Sequence, residues 1–396
     1  MSTIFFAWEL GENLGHLSTT LPLALEFMRR GHRPVFAVRN TATAEKLLGP
    51  HGIAYVQAPA MLGKPPMRTG LPRNYSEILL QCGYHDPLVL AGLMSAWAKL
   101  FDLIAPDLAL FDHAPTALLA SRAKPVRRAV LGTGFTLPPR TIPFPDMLSG
   151  TSDHAARLRA GEELTLRNIN MALTRLNQPT LGALPEIFSA DAEFLNTFAE
   201  MDHYRQRENA KYLGPLHANN LGTEARWPAG ERKRVFAYLR PGNRNFEFMI
   251  GQLRACGHEV LLYTPGIEPH MKTRFIGPHL RFSDEPVDLP KLAGHCDLII
   301  TYAGFHTVSA SLLAGLPMLL LPQHTEQEMV AKRACELGAA ISIDSSPGDV
   351  DLRPHMKALL EQPRYRDAAL AFAEKYGNFN LDELAHSIVE QLEGLM

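Results

Sequence analysis

Between Tyr302 and Gln327 the chain sets a small-residue turn, Ala303-Gly304, directly before Phe305-His306-Thr307 at the start of a helical run. Gly315-Leu316-Pro317, a short apolar stretch and Pro322-Gln323-His324-Thr325-Glu326-Gln327 follow. Free N–H groups and the helix dipole at such a start point to one place, which suits a phosphate or diphosphate. The plainer alternative is an ordinary strand-to-helix turn with Thr307 as its N-cap. Near the other end of the chain, Gly11, Gly15 and His16 lie between a strand-like and a helical run. Two glycines at that spacing are a weak signal, and an isolated histidine is more often a cap or core residue than a reactive one. Asp349-Val350-Asp351 has the spacing of a metal-binding Asp-x-Asp but sits among Ser345, Pro347 and Gly348. It reads as a solvated turn, so no metal site is expected.

The elements that must position these residues alternate short β-rich runs with longer helical ones, the pattern of parallel α/β architecture. Strands are expected at Ile4–Trp8, Pro34–Val38, Ala54–Gln57, Asp107–Phe111, Arg128–Leu131, Glu193–Thr197 and Lys211–Leu213, with helices at Leu17–Arg30, Leu88–Ile104 and Asp153–Asn177. From Pro59 to Asp86 the regularity lapses into a proline-bearing irregular stretch. After the glycine- and proline-bearing segment Gly214–Gly230 the alternation restarts. Strands are expected at Arg234–Leu239, Glu259–Tyr263, Leu280–Phe282, Leu298–Thr301, Pro317–Leu321 and Ala340–Ile343, and helices at Phe246–Cys256, Leu289–Ala293, Thr307–Ala314 and Glu326–Glu336. Two doubly wound domains are therefore expected, with ligands at the carboxyl ends of their strands. The boundaries fall at 1–215 and 216–376, with a last helix in 377–396.

The 396 residues carry 39 basic and 41 acidic side chains, a net charge of -2, so no global field favours nucleic acid or an anionic membrane. With 46% apolar and 20% charged residues the composition is globular. Cys82, Cys256, Cys296 and Cys335 form no Cys-x-x-Cys pair, so neither a zinc site nor a disulfide framework is indicated. The apolar run Ile4–Trp8 is short and wrongly flanked for a signal peptide. Leu312–Leu321, broken by Gly315 and Pro317, is shorter than a spanning helix. A cytoplasmic protein is expected. A dinucleotide-dependent oxidoreductase would share the layout, but no Gly-x-Gly-x-x-Gly follows the first strand, and the second ends in Arg39 where an acid would meet a ribose.

The run from Tyr302 to Gln327 resembles the nucleotide-sugar motif of the GT-B glycosyltransferases, the superfamily of glucuronosyl, macrolide and plant secondary-product transferases. Its usual form is His-Gly-Gly-x-Gly-Thr, a Glu three residues on, Gly-Val-Pro, and Pro-x-x-x-Asp-Gln. Pro286-Val287-Asp288-Leu289-Pro290, Leu292 and Cys296-Asp297 fit the segment leading into it. In the first half, Gly15-His16, Leu21-Pro22-Leu23-Ala24 and Arg30-Gly31-His32 look like the first helix of the same superfamily. Tyr212-Leu213-Gly214-Pro215 and Phe236-Ala237-Tyr238-Leu239-Arg240 extend the likeness over most of the chain.

The resemblance implies a GT-B fold, two facing Rossmann-like α/β domains with a cleft between them and the last helix, 377–396, crossing back to the first domain, and an inverting, metal-independent hexosyl transfer from a nucleotide-diphosphate sugar to a small acceptor. It implies His16 as catalytic base and a strand-ending aspartate as its orienting partner. Asp112 fits that place; its alternative is a helix N-cap, while Asp107 points to the wrong end of its strand. On the donor side the resemblance places Gly304, His306 and Thr307 at the diphosphate, Glu326 and Gln327 at the sugar hydroxyls, and Arg240, Gly242 and Asn243 in the loop that approaches the phosphates. Two departures stand out: Tyr302 occupies the place of the diphosphate-binding histidine, and Ala310 that of the glutamate that accepts from ribose hydroxyls. Arg240 or His306 is the expected source of the missing positive charge, and thymidine as well as uridine diphosphate sugars are expected donors. Gly15, Phe135 and Met147 are expected on the acceptor side, where the composition of Phe135–Leu148 suits an apolar or aromatic compound, and Phe144, Met147 and Leu148 form a candidate peripheral membrane patch. No cofactor or nucleic-acid partner is expected. The alternatives are a catalytically silent binding protein and a sugar-nucleotide epimerase on the same fold.

Overall fold

The computed structural model describes residues 1–11, 15–61, 71–148, 154–205, 207–218, 222–242, 245–344 and 350–396. The chain divides into two compact units, Met1–Ala218 with Asn380–Met396, and Asn219–Phe379. Each is built on a six-stranded parallel sheet.

In the first unit the strands are β1 (Thr3–Trp8), β2 (Arg33–Val38), β3 (Ala54–Gln57), β4 (Leu108–Asp112), β5 (Arg127–Gly132) and β6 (Ala192–Leu195), in the order β3-β2-β1-β4-β5-β6. Ile4 to Trp8 and Leu108 to Asp112 are buried throughout, as strands covered by helices on both faces must be. The order reverses between β1 and β4, which opens a crevice at their carboxyl ends. There Trp8 and Asp112 are register partners.

The helix Gly15–Arg29 contains Pro22, whose missing N–H leaves the Ser18 carbonyl without its intrahelical donor. The Ala218 N–H takes that place at 2.7 Å. The helix Leu381–Glu393 adds Ala385, Ile388, Val389 and Leu392 to the core of this first unit. By length and composition the helix Pro87–Ile104 could cross a membrane, but Leu90, Ala91, Met94, Trp97 and Phe101 are buried in the unit, with Phe101 edge-on to Phe5 of β1.

The second unit holds β7 (Arg234–Tyr238), β8 (Glu259–Tyr263), β9 (Leu280–Ser283), β10 (Leu298–Thr301), β11 (Met318–Leu320) and β12 (Ala340–Ser342), in the order β12-β11-β10-β7-β8-β9. Its reversal lies between β7 and β10, between the turns that hold Arg240 and Gly304.

Several local expectations are corrected. The irregular stretch contains a helix, Tyr75–Leu79, capped by the Asn74 side chain, and a π-helical turn, Leu80–Tyr84, that ends over Gly83 at φ 105°; residues 62–70 lie outside the described ones. Lys211–Leu213 is no strand and makes a single bridge, Tyr212 with Leu195. Leu289–Ala293 is one 3-10 turn, Pro290–Leu292, with Pro290 at its start. Helices Pro269–Phe275, Arg353–Glu361 and Pro363–Lys375, each with proline in its first turn, went unmarked in the sequence.

Candidate active site

His16 is the second residue of its helix, and Asp112 ends β4. Their side chains meet at 3.0 Å, Nδ1 to Oδ2, with the Asp112 side chain only 7% exposed. A carboxylate only accepts, so Nδ1 carries the proton and donates, and Nε2 is left as the basic nitrogen. The other face of the ring stacks on Trp8, centroids 5.3 Å apart and planes 25° apart. Gly11 adopts φ +82°, and a Cβ there would stand 2.5 Å from His16 Nε2. Only glycine leaves that nitrogen room.

The end of β1 fixes the end of β4. The Trp8 indole N–H donates to the Leu10 carbonyl at 2.8 Å. The Leu10 N–H donates to the His113 carbonyl at 2.9 Å. Between them Glu9 is buried, and its Oε2 accepts from the N–H groups of Thr116 and Ala117 at 2.9 and 3.2 Å. Burial pushes the Glu9 carboxyl up to about 7, against the pull of its bonds to Thr116 and Ala117 and of the Arg39 charge. The N-cap of helix Pro115–Ser121 is Ala114, and Glu9 holds its first N–H groups, so the capping alternative for Asp112 fails. Asp107, at the opposite end of β4, accepts from the Thr3 N–H at 2.8 Å.

Gly15 opens the His16 helix, and Phe135 lies edge-on to His113, centroids 6.4 Å apart. Met147 is buried and its N–H is tied to the Arg73 carbonyl at 2.7 Å; Phe144 is fully buried against Tyr75 and Phe188. The expected apolar membrane patch is corrected: two of its three side chains pack inward under the loop.

In the second unit the helix after β10 spans Phe305–Leu313 with Gly304 as N-cap. Thr307 is its third residue, so the plainer reading of Thr307 as N-cap is overturned. Gly304 has no side chain to occupy the leading N–H groups, which is the arrangement an anion site needs. Ala303 is fully buried at φ 61°, where the resembled motif has glycine. His306 stands edge-on to Phe305, centroids 5.4 Å apart.

The Tyr302 hydroxyl donates to the Arg240 carbonyl at 3.1 Å, and burial pushes this phenol up to about 12. Arg240 is exposed, lies over the Tyr238 ring at 5.8 Å and donates to the Tyr238 hydroxyl at 3.0 Å. Gly242 follows at φ 105°, and Asn243 lies outside the described residues. Gln327 Oε1 accepts from the Gln323 N–H at 2.8 Å, and Glu326 stands half-buried beside it in the first turn of helix Thr325–Glu336. Among the described residues no three His, Cys, Asp or Glu side chains gather as a metal site, and Asp351 pairs with Arg353 at 2.9 Å.

His16, Asp112 and, through His113, Phe135 thus gather in one unit; Gly304, His306, Thr307, Tyr302 and Arg240 gather in the other. Trp8, Glu9 and His113 escaped sequence reasoning, although a tryptophan and a glutamate closing an otherwise apolar strand were a readable signal; Gly11 was seen only as half of a weak two-glycine spacing.

Residues 291–376 match the family described as UDP-glucoronosyl and UDP-glucosyl transferase. A relative from Methanosarcina acetivorans, described as an uncharacterized glycosyltransferase, is 25% identical over 353 residues, 80% of this chain and 78% of its own. Among solved structures, the glycotransferase of kitacinnamycin superposes with a TM-score of 0.71 at 16% identity, covering 100% of this chain and 99% of that one. Glycosyltransferase VinC in complex with dTDP superposes with a TM-score of 0.64 at 16% identity, covering 99% of each chain. These likenesses show the GT-B arrangement of two Rossmann-like α/β units.

Proposed function

The chain is a glycosyltransferase of the GT-B fold, and on that premise we propose that it carries out an inverting, metal-independent transfer of a hexose from a thymidine or uridine diphosphate sugar to a hydroxyl of a small apolar or aromatic acceptor. The observation that carries this reading is the His16–Asp112 pair at 3.0 Å, held in the tautomer a base requires.

His16 Nε2 removes the acceptor hydroxyl proton as the oxygen attacks the anomeric carbon, and Asp112 stabilises the imidazolium. The bond from the anomeric carbon to the diphosphate oxygen breaks on the opposite face, and the electron pair leaves with the diphosphate. The helix start at Gly304–Thr307 meets that charge with backbone N–H groups and the Thr307 hydroxyl, in the electrophilic role a metal would otherwise fill. Glu326 and the Gln327 amide bind sugar hydroxyls, and Arg240 or His306 supplies the charge that Tyr302 lacks. Ala310 presents a buried methyl in place of a carboxylate, which favours thymidine over uridine; the dTDP bound by VinC supports the same preference.

Incubation with UDP- and dTDP-sugars, first alone and then with a pool of phenols, macrolides and lipids, tests the reading by mass spectrometry. A glycosylated acceptor supports it. A donor converted without acceptor would make the protein an epimerase instead, and loss of turnover to a chelator with recovery on manganese would end metal independence. Competition binding of UDP against dTDP decides the nucleoside, and a clear UDP preference removes the argument from Ala310.

A further inference from the structure

Glu9, the first residue past β1, is tied to the elements on either side of that strand. Its carbonyl accepts from the Arg39 guanidinium at 3.1 Å, and the Arg39 carbonyl accepts from the Gln57 amide of β3 at 3.0 Å. Its carboxyl reaches the other way, to helix Pro115–Ser121. Pro115 supplies no N–H, and the Leu118 N–H is held by the Ala114 carbonyl at 3.0 Å, so Thr116 and Ala117 carry the two N–H groups that open this helix. Both residues are fully buried, and Glu9 is the acceptor for both.

Between β4 and that helix lies His113 at φ 46°, a conformation that non-glycine residues seldom adopt and that persists only where its surroundings hold it. Two contacts from the end of β1 bracket it: the Leu10 N–H on its own carbonyl, and Glu9 on the helix start just beyond. On the strand side of the strained turn stands Asp112, which orients His16. The residue before Glu9 is Trp8, on which the His16 ring stacks.

We infer that Glu9 is a positioning residue for the His16–Asp112 pair: it locks the strained turn at His113 to the end of β1, and so fixes the Asp112 carboxylate relative to the Trp8 face that supports the imidazole. This deepens the role proposed for His16. Without the Glu9 carboxyl two buried N–H groups lose their acceptor, the turn relaxes, and Asp112 swings away from Nδ1.

The lock responds to pH. Around Glu9 stand Arg39 from the end of β2, Tyr75, Cys82 and Tyr84 from the segment before helix Pro87–Ile104, and Asp112, His113 and His16 at the turn it braces. Burial holds Tyr75 and Tyr84 well above the usual phenol range, Cys82 up to about 12 and His113 well below the usual histidine range, so these four stay neutral near pH 7. Burial raises the locked Glu9 carboxyl from 4.5 to about 7, whereas a released, solvated carboxyl keeps the lower value. A rise in pH through 7 therefore favours release.

Wild type, Glu9→Ala and Glu9→Gln are compared by the NMR signal of the His16 Nδ1 proton, identified by its loss in His16→Ala, and by kinetics with dTDP-glucose and 2-naphthol as probes. Glu9→Ala should shift or broaden the signal and lower kcat roughly 10- to 10²-fold, with acceptor KM and dTDP affinity little changed. Glu9→Gln keeps an oxygen for both N–H groups and should restore signal and kcat at pH 6.5. As the pH rises through 7 the wild-type signal should weaken and Glu9→Gln should keep it. The proton signal does not depend on turnover, so the two ideas fail separately. A signal unchanged in Glu9→Ala overturns the positioning role even where His16 is the base; a signal altered without loss of turnover supports positioning and removes His16 from the reaction. Should Glu9→Ala not fold, the pH dependence of the signal in the other two decides, and superposable curves overturn the inference.

Discussion

The carboxyl ends of the two sheets solve different problems with different materials. In the first unit the groups proposed to react are side chains in fixed geometry: His16 held by Asp112 and Trp8, and the turn after Asp112 held by Glu9 and Leu10. In the second the groups proposed to meet a ligand are mostly backbone, a helix start behind Gly304, while conspicuous side chains are engaged with the protein itself, Tyr302 with the Arg240 carbonyl and Gln327 with the Gln323 N–H. Moving a proton requires one nitrogen at one place in one tautomer. Holding a diphosphate requires only converging dipoles, which a helix start behind a residue without a capping side chain supplies. Substitutions in the first unit should therefore change rate, and those in the second should change affinity by smaller amounts.

His16→Ala breaks the comparison most severely. Turnover should fall roughly 10²- to 10⁴-fold while dTDP affinity, measured by calorimetry, stays put; full turnover would remove His16 from the base role. Asp112→Asn comes next, with a loss of at least roughly 10²-fold in kcat and little change in acceptor KM, because the amide no longer fixes the tautomer. Equal losses in donor binding would show that the first unit does more than proton transfer.

Glu9→Gln tests the scaffold behind the pair. The Glu9 carboxyl titrates near 7 in the folded chain against an ordinary value of 4.5, so the folded state retains a proton that the unfolded state releases. Its contribution is complete below about 4.5 and is lost as the pH rises through 7, at most ~3 kcal/mol. Glutamine keeps an oxygen for Thr116 and Ala117 and cannot ionise, so the variant should lose less stability between pH 4.5 and 8. Urea unfolding in a Trp227→Phe background, where Trp8 and Trp97 report on the first unit, reads the difference. Thr307→Val keeps the branched shape and removes the hydroxyl, and dTDP should bind roughly 10-fold more weakly with kcat less affected. Tyr302→Phe is the smallest: its hydroxyl already serves Arg240, so donor affinity should change about 5-fold or less. A larger drop would return Tyr302 to the ligand.

The sheets were legible in the sequence because strands buried on both faces must be apolar runs; Ile4–Trp8 and Leu298–Thr301 emerge nearly as read. What stayed hidden was long-range pairing. Arg30 and His32 looked like part of a functional signature, yet they clasp Glu393 at 2.5 and 2.9 Å, a partner no local pattern reveals. Glu9 was passed over because the N–H groups it holds belong to Thr116 and Ala117, on a helix far along the chain. At Tyr302 the change from imidazole to phenol was visible, but the acceptor of its hydroxyl, the Arg240 carbonyl, was not. The helix start at Gly304 was legible as a turn, and only the backbone shows that Ala303 bears the positive φ.

The packing of Leu381–Glu393 against the first unit also sets an order of assembly. Ala385, Ile388, Val389 and Leu392 belong to the same core as Leu17, Leu21 and Ala24 of the helix that carries His16. During synthesis the whole of residues 219–379 must be made before those side chains exist. Until then the nascent first unit has an apolar groove along the helix that carries His16, exposed for the ~10 s or more that a ribosome takes over that length. Holdase chaperones should engage the chain in this interval, and ribosome-bound chains halted near residue 375 should be cleaved by protease more readily than chains halted after residue 396 has emerged.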